Sequence, residues 1–269
     1  MSKDIFKNHK AFIAFITYGY PSIEASERLI EIMAQNGVDL IEIGIPFSDP
    51  TAEGEVITNA NACALKRGID TQKIFESLAR VRKKCAVNLA FMTYANVVFS
   101  YGIKRFTTQM RDLNINALIL PDVPFEEKGE FENECKANGI DLISFIAPTT
   151  AQNKKRFEQI VRESKGFIYC VSSLGVTGVR VNVGGGVKEM VEQIKRIRAD
   201  IPVAVGFGIA DAKKAREIAQ FADGIIIGSA IVRMCESEND CIKKVGAFVR
   251  EVRNALDSLD SLDSLGQGR

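Results

Sequence analysis

Histidine and tryptophan are almost missing from this chain: 269 residues hold one histidine, His9, and no tryptophan. A lone histidine near the N-terminus argues against a Ser-His-Asp triad, a Cys-His pair or a histidine-built metal site. Any proton chemistry must then rest on carboxylates, lysine, tyrosine or cysteine. The six cysteines (Cys63, Cys85, Cys135, Cys170, Cys235 and Cys241) form no CxxC pair. They read as reduced thiols in packed elements, not as a disulfide framework or a metal cluster. Charge of one sign is also lacking, with 35 Lys and Arg against 34 Asp and Glu. That balance argues against nucleic-acid or electrostatic membrane partners. No apolar run approaches the length of a membrane span, and the opening MSKDIFKNHK has no apolar signal segment. The expected location is the cytoplasm.

What is present is an alternation. Short apolar, β-rich runs recur at Ala11–Tyr18, Val38–Ile45, Val87–Tyr94, Ala117–Leu120, Asp141–Ala147, Phe167–Val171, Pro202–Phe207 and Gly224–Ile227. Several are apolar almost throughout, as strands buried on both faces are. Between them lie stretches with apolar spacing near 3.6 residues: Glu24–Asn36, Lys154–Ser164 and Ala212–Phe221. Ser22 and Asp211 are positioned as N-caps, and Gly37, Gly139 and Gly166 as C-terminal caps. Eight strand–helix units of about 34 residues each predict a single-domain α/β fold, the (β/α)8 TIM barrel, over residues 1–269. The alternative, an open doubly wound sheet, commonly carries GxGxxG after its first strand. Here that strand runs into Tyr18-Gly19-Tyr20-Pro21. The C-terminal Leu-Asp-Ser repeat, about residues 256–269, reads as a frayed extension of the last helix.

Barrels place chemistry at the C-terminal ends of their strands. Glu42 sits inside the apolar run Ile41-Glu42-Ile43-Gly44. It is either a glutamate of a polar barrel layer, paired with a base or hydroxyl, or a carboxyl whose raised pKa suits acid–base work. The loop after it adds Asp49 and Glu53, with turn capping and a solvated charge as their plainer readings. Glycines cluster in Gly175-Val176-Thr177-Gly178, Gly184-Gly185-Gly186, Gly206-Phe207-Gly208 and Gly228-Ser229. Glycines after strands seven and eight stand where many barrels bind phosphate. Tyr94, Tyr169 and Phe207 fall at strand ends, where an aromatic either flanks a flat substrate or packs the core. The basic runs at 82–84, 154–156 and 213–214 read as solvated helix faces, and His9 as a surface residue.

The segment Ile41-Glu42-Ile43-Gly44-Ile45-Pro46-Phe47-Ser48-Asp49-Pro50 resembles the signature of the tryptophan synthase alpha subunit family. The likeness extends through Met92-Thr93-Tyr94-Ala95-Asn96, Pro121-Asp122-Val123-Pro124, Ala147-Pro148-Thr149-Thr150, Gly175-Val176-Thr177-Gly178 and Gly228-Ser229-Ala230-Ile231-Val232. The resemblance implies a lyase of tryptophan biosynthesis. Its reaction is the retro-aldol cleavage of indole-3-glycerol phosphate to indole and glyceraldehyde 3-phosphate. It implies no metal and no cofactor in this subunit. It also implies a pyridoxal-phosphate-dependent beta subunit as partner, in an αββα heterotetramer that channels indole.

Carried over residue by residue, the resemblance makes Glu42 the general acid and Tyr169 an active-site tyrosine. Phe15, Tyr94 and Phe207 would line the indole pocket. Gly178, Gly208, Gly228 and Ser229 would bind phosphate through the backbone, and Thr177 would belong to a mobile loop. Asp49 and Asp122 match positions near that loop and the subunit interface. Most of the family has Asp where this chain has Glu53, the carboxylate that would stabilise charge on the indole nitrogen. The Arg often found before Gly-Val-Thr-Gly is replaced by Ser173-Leu174. A stand-alone lyase and an inactive barrel that activates the beta subunit are the competing readings.

Overall fold

In a computed structural model, the structure describes residues 2–171, 185–206, 208–236 and 240–266. The apolar runs become strands because both faces of each are covered. β1 (Ala11–Thr17) and β2 (Leu40–Gly44) are buried from end to end. They are joined by β3 (Asn88–Met92), β4 (Ile115–Ile119), β5 (Asp141–Leu142), β6 (Ser144–Ile146), β7 (Ile168–Val171), β8 (Val203–Gly206) and β9 (Gly224–Ile227). The sheet is parallel, in the order β5-β4-β3-β2-β1-β9-β8-β7-β6. Its two end segments, β5 and β6, are separated in the chain by Ile143 alone. The Ile143 amide donates to the Leu118 carbonyl at 2.9 Å, so the ring closes through the chain itself. The expected strand Asp141–Ala147 is thus split. Its first half pairs with β4 and its second with β7. Nine segments make the eight staves of a (β/α)8 barrel.

The outer helices form where the 3.6-residue spacing lies. Ile23–Gln35 buries Leu29, Ile30 and Met33, and Lys154–Glu163 buries Phe157, Ile160 and Val161. Ser22 Oγ accepts from the Ala25 amide at 3.1 Å, and Asp211 Oδ1 from the Lys214 amide at 2.7 Å. Both expected N-caps are therefore made. Gly37, Gly139 and Gly166 all take positive φ. At Gly37 the glycine is needed twice over, because a Cβ there would lie 2.7 Å from Arg253 Cγ. The last two glycines of Gly184-Gly185-Gly186 open the helix Gly185–Ile197.

Two features close the N-terminal end. A 3-10 turn, Ser2–Phe6, buries Ile5 and sets Phe6 against Phe167 at 5.4 Å between ring centroids. The helix Cys241–Gly266 runs through the Leu-Asp-Ser repeat, with Leu256 and Leu259 buried. A three-residue step turns about 300° around a helix, so successive leucines drift by only about 60°. The first two therefore share a face. Arg253 braces this helix against Asp257 at 2.7 Å, Asp260 at 3.6 Å and Asp39 at 3.3 Å. His9 joins the same group, with Nε2 2.8 Å from Asp39 Oδ1.

Candidate active site

Side-chain alternation decides what faces the barrel axis. Phe15, Glu42 and Ala90 stand side by side in register on β1, β2 and β3. Phe15, Ala90, Met92, Ala117, Tyr169 and Ala204 belong to one inner cluster. Alanine on three of these staves leaves room that large side chains would fill. Two glycines make space for the rings. A Cβ on Gly44 would lie 2.5 Å from Phe15 Cζ, and one on Gly206 would lie 2.7 Å from Tyr169 Cε1.

Glu42 is fully buried in this setting, and neither carboxyl oxygen has a hydrogen-bond partner among the described residues. The reading of Glu42 as a paired member of a polar layer is therefore not what the fold makes. Burial pushes its pKa up from 4.5 to about 8, and the nearby Glu53 charge adds to the shift. Glu53 is 8% exposed, so it is not a solvated loop charge. Burial raises its pKa to about 7, and a hydrogen bond from Tyr94 opposes that rise. The Tyr94 hydroxyl also accepts from the Ala52 amide at 3.1 Å, and its ring stacks on Phe47 at 5.0 Å. One buried tyrosine thus ties down the loop that carries Glu53. Tyr169 stacks on Phe145 at 4.6 Å; burial, then the Glu42 charge, raises its pKa.

A cavity of about 280 Å³ opens over these groups at the C-terminal ends of the strands, near the lower end of small-molecule sites. Phe15, Glu53, Tyr169, Gly208, Gly228 and Ser229 all line it. Glu42 and Tyr94 are not in its wall. They border it from behind, each electrostatically coupled to Glu53. Gly208 takes φ +73°, a turn that glycine makes without strain. Thr177, Gly178 and Phe207 lie outside the described residues. Asp49 is exposed, and its carboxylate accepts from Ser48 Oγ, as a turn residue does. Asp122 accepts from the Ala95 amide with both oxygens at 3.1 Å, capping the helix Ala95–Tyr101.

Three wall residues belong to none of the motifs: Ile57, Ala210 and Arg233. Only Arg233 left a trace in the sequence, one helical turn beyond Gly228-Ser229. Among the described residues no group of three or more His, Cys, Asp or Glu side chains is arranged to hold a metal ion.

The sequence pattern of the family described as "Tryptophan synthase alpha chain" matches residues 1–258. The chain belongs to that family. It is 42% identical over 252 residues to the tryptophan synthase alpha chain of Lactiplantibacillus plantarum, covering 94% of each chain. It is 41% identical over 251 residues to that of Methanosarcina mazei, covering 93% of this chain and 90% of the relative. The solved tryptophan synthase subunit alpha from Campylobacter jejuni superposes with a TM-score of 0.83 at 34% identity, over 94% of this chain and 98% of that one. The match to the alpha chain family spans every strand of the barrel and all the wall residues just described.

Proposed function

We propose that the chain cleaves indole-3-glycerol phosphate to indole and glyceraldehyde 3-phosphate, as the alpha subunit of a tryptophan synthase. The observation that carries this reading is Glu42, a fully buried carboxyl without a partner, held protonated near neutral pH beside a second carboxylate. The proton on Glu42 goes to C3 of the indole. Positive charge then develops on the ring nitrogen, and the Glu53 carboxylate stabilises it across the cavity. The Glu42 carboxylate next takes the proton of the hydroxyl on the adjoining glycerol carbon. As the aldehyde forms there, the carbon–carbon bond breaks and its electron pair returns to the ring. Glu42 ends protonated, as it began.

Phe15, Tyr169, Tyr94 and Phe207 hold the indole. Backbone groups at Gly178, Gly208 and Gly228, with Ser229, take the phosphate. Thr177 is a further proposed substrate contact. The chemistry needs only the two carboxylates and no cofactor in this chain. The partner is the beta subunit, carrying pyridoxal phosphate, in an αββα assembly that passes indole between sites. The cysteines fit a reducing cytoplasm; burial pushes Cys135, Cys170 and Cys235 up to about 12, which leaves them unreactive. Among the described residues no helix is long and apolar enough to cross a membrane.

The test is indole release from indole-3-glycerol phosphate by the purified chain, alone and with added beta subunit. Release that rises on adding the partner is expected. No release under either condition would refute the cleavage reading, and release unchanged by the partner would refute the subunit role.

A further inference from the structure

We infer that Arg233 is a substrate-binding residue, and that its guanidinium recognises the phosphate monoester end of the substrate. The inference rests on the cleavage reading above and adds a group that the glycine-based phosphate site does not contain. Two residues of the cavity wall carry a formal charge, Glu53 and Arg233, among otherwise apolar or small residues. Glu53 comes from the loop after β2. Arg233 comes from the helix Ser229–Met234, directly after β9. Ser229 and Arg233 are four residues apart on that helix, so they share a face. Ile231 and Val232 are buried in the barrel wall, which leaves the Ser229–Arg233 face to the cavity.

Three other arginines are held by carboxylates of the chain. Arg80 is bound to Glu27 at 2.6 Å, Arg156 to Glu126 at 2.6 Å, and Arg253 to three aspartates. Arg233 lines the cavity with no carboxylate paired to it among the described residues. A cation in a cavity wall that no carboxylate of the described residues holds is available to a ligand anion. Its planar fork also matches phosphate geometry.

The two charges match the two ends of the reacting substrate. Positive charge develops on the indole nitrogen, beside Glu53. The phosphate stays dianionic throughout, beside Gly208, Gly228 and Ser229, on the side of the cavity that carries Arg233. Because the phosphate charge does not change during reaction, Arg233 stabilises bound substrate and transition state alike. Its loss is expected in KM and not in kcat. The guanidinium is exposed and hydrated, so the effect is moderate: about a tenfold rise in KM for Arg233→Gln, equivalent to about 1.4 kcal/mol.

The experiment compares the full chain with its Arg233→Gln and Arg233→Lys variants. Steady-state indole release gives kcat and KM, and calorimetric titration gives the dissociation constants of inorganic phosphate and of uncharged indole propanol. Arg233→Gln is expected to raise KM and the phosphate dissociation constant together, by about tenfold. Indole propanol binding should stay unchanged, and Arg233→Lys should recover most of the loss. Unchanged KM and phosphate binding in Arg233→Gln would overturn the inference. So would a fall in kcat with KM unmoved, or an equal weakening of indole propanol. If the wild-type chain releases no indole, the cleavage reading fails alone, and the phosphate titration still decides the role of Arg233.

Discussion

Glu42→Gln replaces a carboxyl that the fold keeps protonated with a neutral side chain of the same shape, so its effect on stability depends on pH. Burial and the Glu53 charge raise the Glu42 pKa from 4.5 to about 8. Between these two values the folded chain holds a proton that the unfolded chain has released. Raising the pH through that window therefore destabilises the wild type, and the glutamine variant has no such proton to lose. Each pH unit inside the window is worth about 1.4 kcal/mol. The variant should thus gain on the wild type by about 3 kcal/mol between pH 4.5 and 7, and by up to about 5 kcal/mol by pH 8. Glu53 titrates in both proteins and largely cancels in the comparison. The assay is urea denaturation of both proteins, followed by circular dichroism at half-unit steps from pH 4.5 to 8. A stability gap that stays constant with pH would refute the placement of Glu42 as an uncompensated buried carboxyl.

Three further outcomes follow from the same geometry. The pH profile of kcat/KM should be a narrow bell, with an acid limb near 7 as Glu53 loses its charge and an alkaline limb near 8 as Glu42 loses its proton; both limbs belong to the coupled pair, and a flat profile from pH 6 to 9 would contradict it. Glu53→Ala should lower turnover by a factor on the order of 100 or more, and a change below about threefold would return Glu53 to a bystander role. Gly206→Ala would set a Cβ 2.7 Å from Tyr169 Cε1 and 2.8 Å from its hydroxyl oxygen, so it should lower stability by about 1–3 kcal/mol, read from the denaturation midpoint, together with turnover; an unchanged protein would mean that the ring has space to move.

Much of the barrel could be read from the chain because its strands are buried on both faces. Ala11–Thr17 and Leu40–Gly44 are apolar in sequence for the same reason that they are buried in the fold. The caps at Ser22 and Asp211 were legible because capping is a local event. The break at Ile143 was not, since it shows only in the pairing of each half with a different neighbouring stave. The N-terminal turn was hidden for a similar reason: Ile5 and Phe6 become a floor only once Phe167 is above them. The Leu-Asp-Ser repeat continues the last helix, as its reading as an extension of that helix expects. The brace from Arg253 to Asp39 joins residues far apart in the chain, and no local pattern shows it.

Within the site, Glu42 stood out as a charge in an apolar strand, and its isolation in the structure keeps it distinctive. The burial of Glu53 could not be seen in its loop, because Tyr94, more than forty residues later, creates it. Arg233 lies in none of the basic runs, and its place in the wall shows only in the fold.

The account turns on Glu42 as the proton donor to carbon. The most direct measurement is indole release from indole-3-glycerol phosphate by Glu42→Gln, taken together with its titration by glycerol 3-phosphate. The account predicts that release is abolished while glycerol 3-phosphate binds with the wild-type dissociation constant. Turnover within about threefold of the wild type, in a variant that binds that ligand normally, would contradict it.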